Sequence, residues 1–103
     1  MQPEEEIRRV IEFNEVLGDG VRLAIMLYLR IKGKTRFNEL ASGLGISSGR
    51  LAHHLGVLEG SGYIRVERLR EDLRGRIIEI TPEGVNALRE YLSSMVSMAR
   101  KLL

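Results

Sequence analysis

The spacings between Phe37 and Leu58 constrain this 103-residue chain more than any other feature. Phe37, Leu40, Ala41 and Leu44 stand at i, i+3, i+4 and i+7, which marks one apolar helix face. Two helices that cross steeply need a small residue where they touch, and Ala41 sits there. The tight turn between them needs a residue tolerant of positive φ, and Gly45 follows four positions later. Ile46 returns to the core, and Ser47 can cap a further helix through about Gly60. Leu51, Leu55 and Leu58 form the buried stripe of that helix. His54 departs from the pattern, because an apolar residue is common at that place.

Residues 3–17 read as a helix, with Pro3 in the first turn and Glu4, Glu5 and Glu6 complementing the helix dipole. Ile7, Val10, Ile11, Phe13 and Leu17 give it a broad apolar face. Gly18-Asp19-Gly20 breaks it, and Asp19 can cap a second helix that runs to about Lys32 and ends at Gly33. That helix is apolar on most sides and is expected at the centre. Thr35 is the expected cap of the short helix that runs from about Arg36 to Gly43. After Gly60 the period falls from 3.6 to 2. Ile64 and Val66 alternate with Arg65 and Glu67, and Ile78 and Ile80 alternate with Ile77 and Glu79. This predicts a β-hairpin with a polar tip at residues 71–75. Thr81-Pro82-Glu83 then starts a last helix. Its Val85, Leu88, Leu92, Met95, Ala99 and Leu102 are separated by alternating gaps of three and four, a heptad seam.

A chain of this length is one domain with a modest core, which a partner subunit would help to complete. It has no cysteine, so disulfides, thiol catalysis and Cys-ligated metals are excluded. Its net charge of +2 is small, but the charges are segregated. Residues 1–17 hold five acids and two bases, whereas residues 18–81 hold eleven bases and seven acids. The middle of the chain is therefore where an anion is expected to bind. The acidic start is the opposite of a signal peptide, and the longest apolar run, Leu23 to Leu29, is too short to span a bilayer. A cytoplasmic protein without membrane contact is expected. His53 and His54 point about 100° apart on a helix, which suits chelation poorly, so neither a metal nor a cofactor is expected. There is no phosphate loop, nucleophile elbow or zinc-binding helix, so an enzyme is not expected and no catalytic residue is assigned.

The order of elements gives an α+β, mostly helical fold class, with a helix-turn-helix followed by a hairpin. Residues 19–84 resemble the winged helix-turn-helix of the ArsR and MarR-like transcriptional regulators. The likeness rests on Val21-Arg22-Leu23-Ala24-Ile25, Phe37-Asn38-Glu39-Leu40, Leu51-Ala52-His53-His54-Leu55, Leu58-Glu59, Gly62-Tyr63-Ile64 and Thr81-Pro82-Glu83-Gly84. It implies a single domain over 1–103, with a winged-helix core at 19–81 and dimerisation helices at 1–18 and 82–103. It further implies a recognition helix in the major groove of double-stranded DNA, a two-stranded β wing on the backbone or minor groove, and a homodimer. The chain lacks the thiolates of the ArsR metal sensors, and it is too short for the full ligand pocket of MarR proteins. A small-molecule effector therefore stays open.

Candidate DNA contacts follow from the helical wheel and the basic residues. Ser47, Ser48, Gly49, Arg50, Ala52 and His53 lie on or beside the outward face of the recognition helix. Of these, His53, Arg50 and Ser48 can reach base edges. Gly49, Gly56 and Gly60 each cost about 1 kcal/mol of helix propensity relative to alanine. Either a smooth face lets the backbone enter the groove deeply, or tertiary packing makes glycine tolerable. Arg68, Arg70, Arg74 and Arg76 cluster on the wing, and Lys34 and Arg36 lead into the short helix. Arginine forks suit phosphates, although Glu67, Glu71 and Asp72 can also pair with the wing arginines. Arg22 can touch phosphate or pair with an acid inside the fold, and the second is favoured. His54 is expected to be a half-buried structural residue with a backbone partner. Ile7, Val10, Ile11, Leu88, Leu92, Met95, Ala99 and Leu102 are the expected dimer contacts. Two other functions fit this pattern, a non-specific architectural DNA-binding protein and a winged-helix protein–protein adaptor.

Overall fold

The computed structural model describes residues 2–68 and 75–103. Helix α1 spans Pro3–Glu12 and α2 spans Gly20–Lys32. A short strand, β1 (Thr35–Arg36), leads directly into α3 (Phe37–Leu44), and α4 (Ser48–Gly60) follows. Strands β2 (Ile64–Glu67) and β3 (Ile77–Ile80) precede the long C-terminal helix α5 (Pro82–Leu102).

Local chemistry explains most of these boundaries. The Asp19 carboxylate accepts from the backbone N–H groups of Val21 and Arg22 at the start of α2. Ser47 accepts from the Arg50 amide at the start of α4. Gly45 ends α3 in the left-handed conformation (φ 66°), where a Cβ would be strained, and its amide bonds back into the last turn. Helix α1 is shorter than residues 3–17. Asn14 accepts from the Leu17 amide, and this turn carries Leu17 into the core with no exposed surface. A helix continued to residue 17 would lack that reversal.

Thr35 is not the cap of α3. It is buried in β1 and its hydroxyl donates to the Gly33 carbonyl, while Arg36 occupies the cap position without a side-chain cap bond. The expected two-stranded wing, β2 and β3, is therefore joined by β1 in a three-stranded sheet. Its order is β1-β3-β2, antiparallel throughout. Ile78 sits opposite both Thr35 and Val66 and is fully buried. The added strand ties the residues before the helix-turn-helix to the wing.

Leu17, Ile25, Met26, Leu29, Leu40, Leu51, Leu58 and Ile78 fill the centre. Helix α5 begins in close contact with the turn before β2. A Cβ at Gly84 would collide with the Tyr63 carbonyl oxygen, so only glycine permits this approach. Thr81 closes the same corner. Its hydroxyl donates to the Gly62 carbonyl and accepts from the Gly84 amide, and its own amide donates to the Tyr63 carbonyl. Among the described residues, no helix is long and apolar enough to cross a membrane.

Candidate nucleic-acid interface

Helix α4 has two unlike faces. Leu51, His54, Leu55 and Leu58 are buried. Ser48, Gly49, Arg50, Ala52, His53 and Gly56 are exposed, and so is the cap residue Ser47. A Cβ added at Gly49, Gly56 or Gly60 would meet nothing within 4 Å. No packing inside the chain demands glycine at these positions. The outward face is thus a shallow strip with few side chains, from which His53 and Arg50 project.

Behind this strip lies a polar cluster in which the inferred partners change. His54 is 8% exposed, more buried than expected, and its partner is the Arg22 side chain instead of the backbone. Arg22 Nη1 lies 3.0 Å from His54 Nδ1. Arginine only donates, so Nδ1 accepts and the proton of the neutral ring sits on Nε2. Arg22 also donates through Nε to the Val16 carbonyl at 2.8 Å. It is a half-buried residue, held by a carbonyl and an imidazole. Asp19 lies next to the pair, with Oδ1 3.9 Å from His54 Nδ1. Burial pushes the His54 imidazole below its ordinary pKa, against the attraction of Asp19. The Arg22 amide bonded to Asp19 holds that carboxyl below the usual range. The rings of His53 and His54 meet edge to face, with centroids 5.1 Å apart.

The basic residues of the sheet are largely committed to carboxylates. Glu79 on β3 takes Lys34 at 3.7 Å and Arg65 at 3.5 Å. Arg68, at the base of the wing, reaches Glu59 in the last turn of α4 at 3.2 Å through Nη2 and at 3.5 Å through Nη1. The Arg76 guanidinium stacks 3.9 Å over the Phe37 ring, and its backbone carbonyl accepts from the Phe37 amide. Arg36 is exposed. Arg70 and Arg74 lie outside the described residues. Sequence reasoning set Glu67, Glu71 and Asp72 against the wing arginines. It missed Glu79, which faces Arg65 across the hairpin, and Glu59, which lies in α4 and which no local spacing joins to Arg68.

The terminal helices carry the other candidate residues. Helix α1 buries no residue, and Ile7, Val10 and Ile11 are exposed. On α5, Leu92, Met95 and Leu102 are exposed and Ala99 is half-buried. Leu88 departs from the expected interface, since it is 3% exposed and belongs to the chain's own core. Val96 and Leu103, which lie off the heptad seam, are exposed apolar residues that the seam did not mark. A cleft of about 320 Å³ separates α1 from the second half of α5, and Glu6 bridges it to Lys101 at 3.0 Å.

This arrangement matches known proteins along most of its length. The family model for a winged helix DNA-binding domain matches residues 21–99. A transcriptional regulator homologue from Pyrococcus horikoshii OT3 is similar, with a TM-score of 0.86, 30% identity, and coverage of 95% of this chain and 97% of that one. The crystal structure of MarR gives a TM-score of 0.72 at 25% identity, covering 96% of this chain and 76% of that one. An uncharacterised protein of Methanocaldococcus jannaschii is 32% identical over 91 residues, or 85% of this chain and 97% of its relative. The chain belongs to the winged helix DNA-binding domain family, and its likenesses support a DNA-binding transcription regulator.

Proposed function

We propose that this chain regulates transcription as a homodimer that selects its sites on duplex DNA. Helix α4 enters the major groove, and the wing lies along the backbone or minor groove. The observation that carries this reading is the outward face of α4, where glycines with open space around them let the helix approach the base edges closely. Ser47, Ser48, Gly49, Arg50, Ala52 and His53 make the contacts there, with His53 and Arg50 reading bases. Lys34, Arg36, Arg68 and Arg76, together with Arg70 and Arg74, supply phosphate contacts. Arg68 and Lys34 exchange their carboxylate partners for phosphates, because exposed ion pairs are worth only about 0–1 kcal/mol.

The homodimer rests on the apolar residues of α1 and α5. Ile7, Val10, Ile11, Leu92, Met95, Ala99 and Leu102 line the face that a second copy would cover. In that arrangement two recognition helices lie about 34 Å apart, one turn of duplex. A duplex obtained by genomic-fragment selection, compared with a scrambled one of equal length, tests the proposal by fluorescence anisotropy. The selected duplex should bind more tightly, and affinity should fall steeply with salt. Equal affinities would replace the proposal with a non-specific architectural role. No binding to either would favour a protein–protein adaptor. A monomer at micromolar concentration in sedimentation would remove the dimer.

A further inference from the structure

The Arg22–His54 contact joins two parts of the molecule that the family reading leaves separate. One end is the turn before α2, where Arg22 Nε is anchored on the Val16 carbonyl beside the fully buried Leu17. The other end lies midway along α4, where His54 is buried on the same helix as Leu51, Leu55 and Leu58. The next residue along the chain is His53, which faces outward and touches the His54 ring edge to face. We infer that Arg22 and His54 are positioning residues for DNA recognition: their bond sets how α4 presents His53, and it holds only while His54 is uncharged. The inference rests on the reading that α4 carries the DNA contacts.

The chemistry is one of donors and acceptors. Neutral His54 accepts from Arg22 through Nδ1. A proton added at Nδ1 turns that acceptor into a donor facing another donor, and the Arg22–His54 bond is lost. Among the described residues, the charged ring can turn to Asp19 Oδ1 at 3.9 Å. That oxygen already accepts from the amides of Val21 and Arg22, so a turn toward it competes with the cap of α2. The described charged and titratable groups that act on His54 are Asp19 and Arg22 from the start of α2, and His53 and Arg50 from α4 itself. Three of these four oppose a positive ring, and burial opposes it further, so the neutral form is the resting state.

The consequence has the opposite sign to ordinary phosphate binding. An exposed histidine near DNA gains charge in acid and tightens binding. Protonation of His54 instead releases α4 from its anchor and weakens binding. The test measures binding of the full chain to a fluorescein-labelled duplex from genomic-fragment selection, at constant ionic strength, between about pH 7.5 and pH 5.5. Affinity should fall as the pH drops, toward the limit of about tenfold that one pKa unit of coupling between His54 and DNA sets, with part of that fall reached by about pH 5.5. His54→Asn keeps an acceptor oxygen on Cγ but cannot titrate, so the ratio of its affinities at the two pH values should stay near one. Affinity that is flat or rises in acid for the unaltered chain overturns the inference. So does a fall that persists in His54→Asn.

Nitrogen-15 imidazole spectra of the free chain give a second reading that needs no DNA. They should show His54 as the Nε2–H tautomer, and Arg22→Gln should raise the pH at which it titrates. An Nδ1–H tautomer, or no change in Arg22→Gln, overturns the bond on which the inference stands. If no duplex binds at either pH, the positioning role fails together with the DNA reading. The spectra then still report on the bond alone, so the two failures are distinguishable.

Discussion

On α4, Leu51, Leu55 and Leu58 are at most 3% exposed, whereas Ile7 and Ile11 on α1 are 62% and 75% exposed. Both helices carry an amphipathic pattern, yet one closes a core and the other leaves its stripe in solvent. The terminal helices also extend the molecule to 56 Å along its longest axis, with a radius of gyration of 15.4 Å. A compact domain of this length has a radius of about 13 Å. The winged core is therefore packed within one chain, whereas the terminal helices leave apolar side chains in solvent, where the proposed second copy would cover them. Stability and assembly should respond to different residues.

The sharpest way to break this comparison is to truncate one leucine on each side of it. Leu51→Ala removes a fully buried side chain and should lower unfolding free energy by about 2–5 kcal/mol in urea titration. Ile11→Ala should leave the stability of the dissociated chain nearly unchanged and act on dimerisation alone, read by sedimentation at several concentrations. Equal losses in monomer stability would mean that α1 packs as part of the core.

The seam between the regions gives a smaller effect. Thr81 is the cap of α5 and also the strap that joins it to Gly62 and Tyr63. Thr81→Ala should cost about 1 kcal/mol, as cap deletions typically do. A loss well below this would mean that the close contact at Gly84 holds the corner without the hydroxyl.

Acid adds a further loss confined to the winged core. His54 and Asp19 both have folded-state pKa values below their ordinary 6.5 and 3.8. A depressed value means that the unfolded chain binds the proton more readily. The His54 contribution is present above pH 6.5 and is lost as pH falls from there through the lower folded value. The Asp19 contribution follows the same course below pH 3.8. Urea titrations at stepped pH should show the first decline in the unaltered chain and its absence in His54→Asn. The smallest change belongs to the exposed Lys101–Glu6 pair, where Lys101→Ala should cost no more than about 1 kcal/mol and less at high salt.

Much of this architecture is legible in the residues themselves. Asp19, Ser47 and Thr81 cap the helices they were expected to cap, and Gly33 and Gly45 end theirs. The leucine stripe of α4 is buried as its spacing predicts, and the alternation at 64–67 and 77–80 marks both long strands. These features depend on residues within one or two turns of each other. The outward face of α4 was legible for the same reason, because the wheel that buries Leu51 and Leu55 must expose Ala52 and His53.

Other assignments needed the assembled chain. Thr35 could be a cap or a strand residue until β3 arrived beside it. Leu88 stands on the heptad seam, but the seam does not say where α5 leaves the core and begins its free half. Arg22 and His54 are 32 residues apart, and no period or cap links them. Arg68 and Glu59 meet only because the sheet and α4 converge, and Lys34 and Glu79 only because β1 pairs with β3. The sequence by itself determined the elements, their caps and their apolar faces, since hydrogen bonding and periodicity act over a few residues. The tertiary structure alone decided which partner each polar group found and which apolar face stayed open, since those depend on distances that only packing brings down to a few ångströms.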